Sequence, residues 1–170
     1  MKLLWGLLLI TGLSVDMCIA AVGQRGYDLK AEYVHGWFSN KNCRQKEIAD
    51  GYPIPYSGCD FPEEVIPEDR LKAAKGLDFG IVYRITGLKS SSCHTVTHFL
   101  NHPVMTLPDG TRREQYQRNF KIGSCMKDEG RYVDFFSWSL EESWEVERGE
   151  WIFEIRVDGN TLIKERFILE

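Results

Sequence analysis

Apolar and polar residues alternate with period two along most of this chain, the spacing of strands whose two faces differ in burial. Between residues 77 and 86, Leu77, Phe79, Ile81, Tyr83 and Ile85 alternate with Asp78, Gly80, Val82, Arg84 and Thr86, which predicts an internal strand with one face in a core. Residues 26–38 set Tyr27, Leu29, Ala31, Tyr33 and His35 on one side of a first strand. Residues 93–100 alternate Thr95, Thr97 and Phe99 with Val96, His98 and Leu100, and the branched threonines favour an extended backbone. Extended segments are also expected over 116–122 and 132–138, with a loop at 123–130 that holds Cys125. At the C-terminus Trp151, Phe153, Ile155 and Val157 alternate with Ile152, Glu154 and Arg156, Asp158-Gly159 turns the chain, and 161–169 alternates again. That pattern reads as a hairpin with a two-residue turn.

Breakers divide these runs. Pro53, Pro55, Pro62 and Pro67 with Gly51 and Gly58 forbid long regular elements, so residues 40–67 read as an irregular excursion. Residues 68–75, with Leu71, Ala73 and Ala74, read as a short helix ended by Gly76. Pro103 is expected to end the strand before it, and Pro108-Asp109-Gly110 to form a turn. About seven short strands at hairpin spacing, without long helices between them, point to an all-β fold, an antiparallel immunoglobulin-like β-sandwich, with a small barrel as the alternative.

The first 21 residues change the picture. Lys2 precedes an uninterrupted apolar run over residues 3–15, which is 13 residues against the roughly 20 that cross a bilayer. This reads as a secretory signal peptide over 1–20, cleaved after Ala20 with Ala21 the alternative, leaving one domain over 21–170 and no membrane span. Cys18 follows Asp16 and Met17 and not the small residues a lipid-anchored cysteine requires. Cleavage would leave Cys43, Cys59, Cys93 and Cys125, an even number that implies two disulfides in an exported chain. Pairing Cys43 with Cys59 and Cys93 with Cys125 closes the shorter loops and staples the excursion. A net charge of -4, with no basic run, argues against nucleic acid as a partner.

Several landmarks occur in order: Ile66-Pro67, then Gly76-Leu77-Asp78-Phe79-Gly80-Ile81, then His102-Pro103 and Pro108-Asp109-Gly110, then Gly149-Glu150-Trp151-Ile152-Phe153-Glu154-Ile155, and a closing run over 162–167. In this the chain resembles the bacterial domain-of-unknown-function family numbered 3859. The resemblance implies a compact exported or envelope domain and brings no activity, cofactor or catalytic residue with it.

Three constellations invite chemistry. His94, His98 and His102 lie four apart on one side of the chain and could hold a transition metal only if the segment were helical or sharply bent, because four strand residues span about 13 Å. The default is histidines that face solvent or are hydrogen-bonded, with no metal and no cofactor. Cys93 beside His94 suggests a nucleophile pair, but neighbours on a strand point to opposite faces. Glu141, Glu142, Glu145, Glu147 and Glu150 among Trp138, Trp144 and Trp151 would suit a glycosidase or a sugar platform, yet inward tryptophans and solvated glutamates on two strands explain them as well. The expectation is therefore a non-catalytic, exported binding domain with a protein or glycan partner in the envelope, recognised through residues 40–62 and the loop 102–113. The alternatives are an inhibitor or immunity-type protein that plugs an envelope enzyme through its acidic surface, and a metal protein built on the three histidines.

Overall fold

A computed structural model describes residues 18–23, 28–39, 43–48, 55–59, 62–88, 91–124 and 131–170. The strands are β1 (Cys18–Gly23), β2 (Asp28–Ser39), β3 (Cys43–Ile48), β4 (Pro55–Cys59), β5 (Glu64–Ile66), β6 (Arg70–Leu71), β7 (Asp78–Thr86), β8 (Cys93–Thr106), β9 (Arg112–Gly123), β10 (Arg131–Ser139), β11 (Gly149–Val157) and β12 (Asn160–Leu169). They form two five-stranded sheets and a separate two-stranded ribbon, β3-β4. One sheet runs β1-β2-β7-β10, with β5 also on β2, and the other runs β6-β12-β11-β8-β9. The sheets face each other across a core that includes Phe79, Ile81 and Ile85 from β7, Val96 and Leu100 from β8, Trp151, Phe153 and Ile155 from β11, and Phe167 from β12. Phe79 lies edge-on to Trp151, Phe153 and Phe167 at 5.2–5.5 Å, so a single ring bridges the two layers. This is an all-β sandwich, and among the described residues no helix is long and apolar enough to cross a membrane.

Local chemistry accounts for the register. Asp158 (φ 50°) and Gly159 (φ 83°) make the turn of the β11-β12 hairpin with both residues left-handed, the geometry whose twist matches the flanking strands. At Gly80 a Cβ would lie 2.1 Å from the carbonyl oxygen of Phe136, so only glycine lets β7 and β10 approach this closely.

Five expectations are corrected. The predicted helix over 68–75 is the two-residue strand β6, parallel to the end of β12: Asp69 O accepts from Ile168 N at 2.7 Å and Leu71 O from Glu170 N at 2.9 Å. So short a helix would gain little, and the end of β12 offers the backbone better partners. Pro103 does not end its strand, because β8 continues to Thr106 with its register to β9 broken between Asn101 and Met105, where a residue without an N–H costs no ladder bond. The expected loop 102–113 is thereby a hairpin, closed by a tight turn in which Leu107 N donates to Thr111 O at 2.8 Å. The excursion carries the ribbon β3-β4, so it is not wholly irregular. The acidic segment before β11 is a 3-10 turn, Ser143–Glu145, with Glu145 turned inward. The proposed leader lies mostly outside the described residues; its cleavage point after Ala20 falls within β1, and Ala21–Gly23 would keep their partners Asp28 to Lys30 on β2.

Candidate functional site

The alternation in β8 sends His94, Val96, His98, Leu100 and His102 inward and leaves Thr95, Thr97 and Phe99 outward. All three histidines are buried, so of the two default readings, solvent-facing or hydrogen-bonded, the second is the one the structure shows. Each finds a different neighbour. His94 Nδ1 lies 2.8 Å from Asp158 Oδ2 on the hairpin turn, whose other oxygen accepts from Thr95 N. His98 Nε2 lies 2.8 Å from the Tyr83 hydroxyl, across the core on β7. His102 Nδ1 donates to Pro103 O at 2.8 Å, and its ring packs against both Trp138 and Trp151, at 5.8 and 5.3 Å, which are themselves 6.2 Å apart. The strand's rise keeps them apart, and among the described residues no three His, Cys, Asp or Glu side chains meet as a metal site. Cys93 is disulfide-bonded and exposed while His94 is buried on the opposite side, so the two form no nucleophile pair.

The histidine at the centre leads to polar residues that the sequence reading passed over. Tyr83 hydroxyl also reaches 3.5 Å from Asp134 Oδ2 on β10, and that oxygen accepts from Tyr132 OH at 2.7 Å while Oδ1 accepts from Phe135 N at 2.8 Å. With the Tyr83 O–H given to Asp134, Tyr83 accepts from the Nε2–H tautomer of His98. On β9, Tyr116, Arg118 and Phe120 stand opposite Leu100, His98 and Val96 and so share their inward face. Arg118 is nevertheless exposed, because β9 and β10 are both end strands and the sandwich opens between them. Aromatic rings close that seam in place of backbone bonds: Phe120 meets Tyr132 at 5.9 Å, and Tyr116 meets Trp138 at 5.7 Å and Phe136 at 6.5 Å.

The electrostatics follow from burial. Desolvation, aided by the Arg118 charge, pushes His98 down to about 3, so the imidazole is neutral and stacks flat on Phe136 at 4.3 Å and 13°. Burial raises the Tyr83 hydroxyl well above the ordinary tyrosine value, with the Asp134 charge adding to it. Burial also raises the Asp134 carboxyl, against the lowering effect of the Tyr132 and Phe135 bonds and of Arg118. The result is a neutral Tyr83–His98 pair behind one carboxylate and one guanidinium at an open edge.

The glutamates and tryptophans of the glycosidase alternative do not converge. Trp151 is fully buried, with its Nε1 donating to Glu147 O at 3.2 Å, while Glu142 and Glu150 are exposed and pair with Lys75 and Arg166.

Comparison with known proteins agrees with this architecture. Residues 57–169 match the family of the domain of unknown function DUF3859, and the chain belongs to that family. The fold is similar to that of an immunoglobulin-like protein from Pseudomonas aeruginosa, with a TM-score of 0.59 and 16% identity, over 92% of this chain and 99% of the other. No curated protein matches the chain.

Proposed function

We propose that this protein is an exported, non-catalytic binding domain of the bacterial envelope that holds a protein or glycan partner, with neither nucleic acid nor a membrane span involved once its leader is removed. The observation that supports this most is the β9-β10 flank, where both sheets end in strands with no further strand beyond them among the described residues and where half-buried Tyr116, Phe120 and Tyr132 surround a charged edge. This moves the recognition surface from the 102–113 hairpin to that flank, with residues 40–62 kept as a second candidate. Export is supported by the leader pattern and by the disulfide at Cys93. We keep Cys125, which lies outside the described residues, as the partner of Cys93 for its short loop; the described strand end agrees, with Cys93 opposite Gly123 and Ser124 N donating to Ser92 O at 3.0 Å. The second bridge is assigned to Cys43 and Cys59, which stand opposite each other in the β3-β4 register.

The test is affinity capture from a native envelope extract with the oxidised protein over 21–170 as bait, beside a Tyr116→Ser, Phe120→Ser double variant checked for folding by circular dichroism. A partner retained by the wild type and lost by the variant supports the reading. No retained protein and no glycan-array signal would overturn it. One enzyme retained near stoichiometrically, and inhibited on binding, would favour the inhibitor alternative.

A further inference from the structure

We infer that the recognition element of this flank is the outer edge of β9, and that it takes an extended acidic peptide segment as an added strand of the β6-β12-β11-β8-β9 sheet. This rests on the binding-domain reading above and names its partner chemistry. Strand β9 is 12 residues long, is paired by β8 on one side, and ends the sheet among the described residues. Such an edge offers a ladder of backbone donors and acceptors to any extended chain, and its side chains decide which chain is admitted.

Those side chains are strongly biased. Arg112, Arg113, Arg118 and Lys121 are set against a single acid, Glu114, in a chain whose net charge is -4. A second copy of this chain is disfavoured by the same charges in two of its three central registers. In the antiparallel self-pairing centred between Tyr116 and Gln117, Arg112 stands opposite Lys121, and in the one centred on Gln115 it stands opposite Arg118, whereas the one centred on Tyr116 sets Glu114 opposite Arg118. Like charges directly opposite destabilise a strand pair, whereas carboxylates at those places stabilise it. The basic edge thus opposes self-association in those two registers, and a strand richer in carboxylates than this one suits it better.

The register refines the partner. Tyr116, Arg118 and Phe120 face the core side, so the side chains of an added strand on that side would meet aromatic, cationic and aromatic surface in turn. On the other side they would meet Gln115, Gln117, Asn119 and Lys121. The segment that fits carries a carboxylate opposite Arg118, with apolar residues two positions before and after it on the same face.

The probe is a blocked nine-residue peptide, Val-Asp-Val-Val-Asp-Val-Val-Val-Val flanked by solubilising Gly-Ser, whose fifth and second residues stand opposite Arg118 and Lys121 in the antiparallel register, with two controls in which Lys replaces Asp or Pro replaces the central Val-Asp pair. Anisotropy titrations and amide exchange would be read on the oxidised protein. Expected are binding of the acidic peptide that weakens severalfold between 50 and 300 mM salt, slowed exchange in β9, and at least tenfold loss in Arg118→Glu with a gain for the Lys peptide. Arg118→Gln, which keeps a polar side chain, should lie between. Equal binding of the Lys or Pro peptide, protection confined to β10 or β1, or no binding at millimolar peptide would overturn the assignment. An envelope partner captured equally by wild type and by Arg118→Glu, Lys121→Glu would overturn it too, and would leave the binding-domain reading standing.

Discussion

Two carboxylates withdrawn from solvent, one on each sheet, are treated in opposite ways. Glu154 on β11 looks out from the β8-β11-β12 face and is buried by its own counter-charges, accepting from Arg156 Nε at 2.9 Å and Lys164 Nζ at 2.9 Å, while the Arg156 guanidinium covers the Phe99 ring at 4.4 Å. Burial works against its charge, but the two cations overcome it and hold the carboxyl below the usual range. Asp134 faces the interior with hydroxyls and a backbone N–H for partners and one cation at a distance, and burial wins, raising it. A carboxylate beside two basic groups is a structural fixture, whereas one held by hydroxyls next to an open edge keeps a charge that a ligand or a pH change can alter.

Acidification offers the largest effect with which to test that contrast. His98 is held far below its unfolded value of 6.5, so the unfolded chain binds a proton between about pH 6.5 and 3 that the native chain refuses, and stability is lost as pH falls through that window. Between pH 7 and 4 the loss from this group is on the order of 3 kcal/mol, to be read from urea midpoints. His98→Leu should flatten the slope, and an unchanged slope would contradict the neutral Tyr83–His98 pair. Glu154 adds in the same direction, since a lowered carboxyl stabilises above its unfolded value and loses that contribution as pH falls through the lower native one. Asp134 opposes both, because a raised carboxyl stabilises below its unfolded value and loses that as pH rises through the native one.

Next in size, Glu154→Gln should cost about 2 kcal/mol at neutral pH, since it leaves Arg156 and Lys164 facing each other without their shared anion. Tyr83→Phe should cost about 1–2 kcal/mol by removing the hydroxyl between the sheets and leaving His98 Nε2 without its partner. Smallest is Asp134→Asn, under about 1 kcal/mol at neutral pH and less below it, because the amide keeps most of the hydrogen bonds and removes a charge that burial already disfavours. Equal costs for the Glu154 and Asp134 variants in the same denaturation series would dissolve the comparison.

The sandwich was legible where local chemistry and tertiary context agree. The Asp158-Gly159 turn between two alternating runs specifies the β11-β12 hairpin before any other strand is placed, and β7 shows its core face directly. β6 was not legible, because its two residues are extended only through the end of β12, some hundred positions away. The seam was half visible: Tyr132, Asp134 and Phe136 alternate with Val133 and Phe135, so Asp134 already shared a face with aromatics. What hid it was the partner, since only the pairing of β8 with β9 brings Arg118 opposite His98. The histidines were read only halfway, as solvent-facing or hydrogen-bonded, because imidazole is polar in sequence, yet a neutral ring stacked on Phe136 or packed against two indoles behaves as a core aromatic.

That last arrangement gives the domain an optical property. A neutral imidazole is a weak quencher of indole emission and a protonated one a strong quencher, and His102 packs against both Trp138 and Trp151. Burial lowers its protonation range, so both tryptophans should stay bright through neutral pH and dim together only as pH falls below the usual imidazole range. The end of the sandwich near the β8 irregularity thus carries its own lamp, switched by one proton and readable without a label.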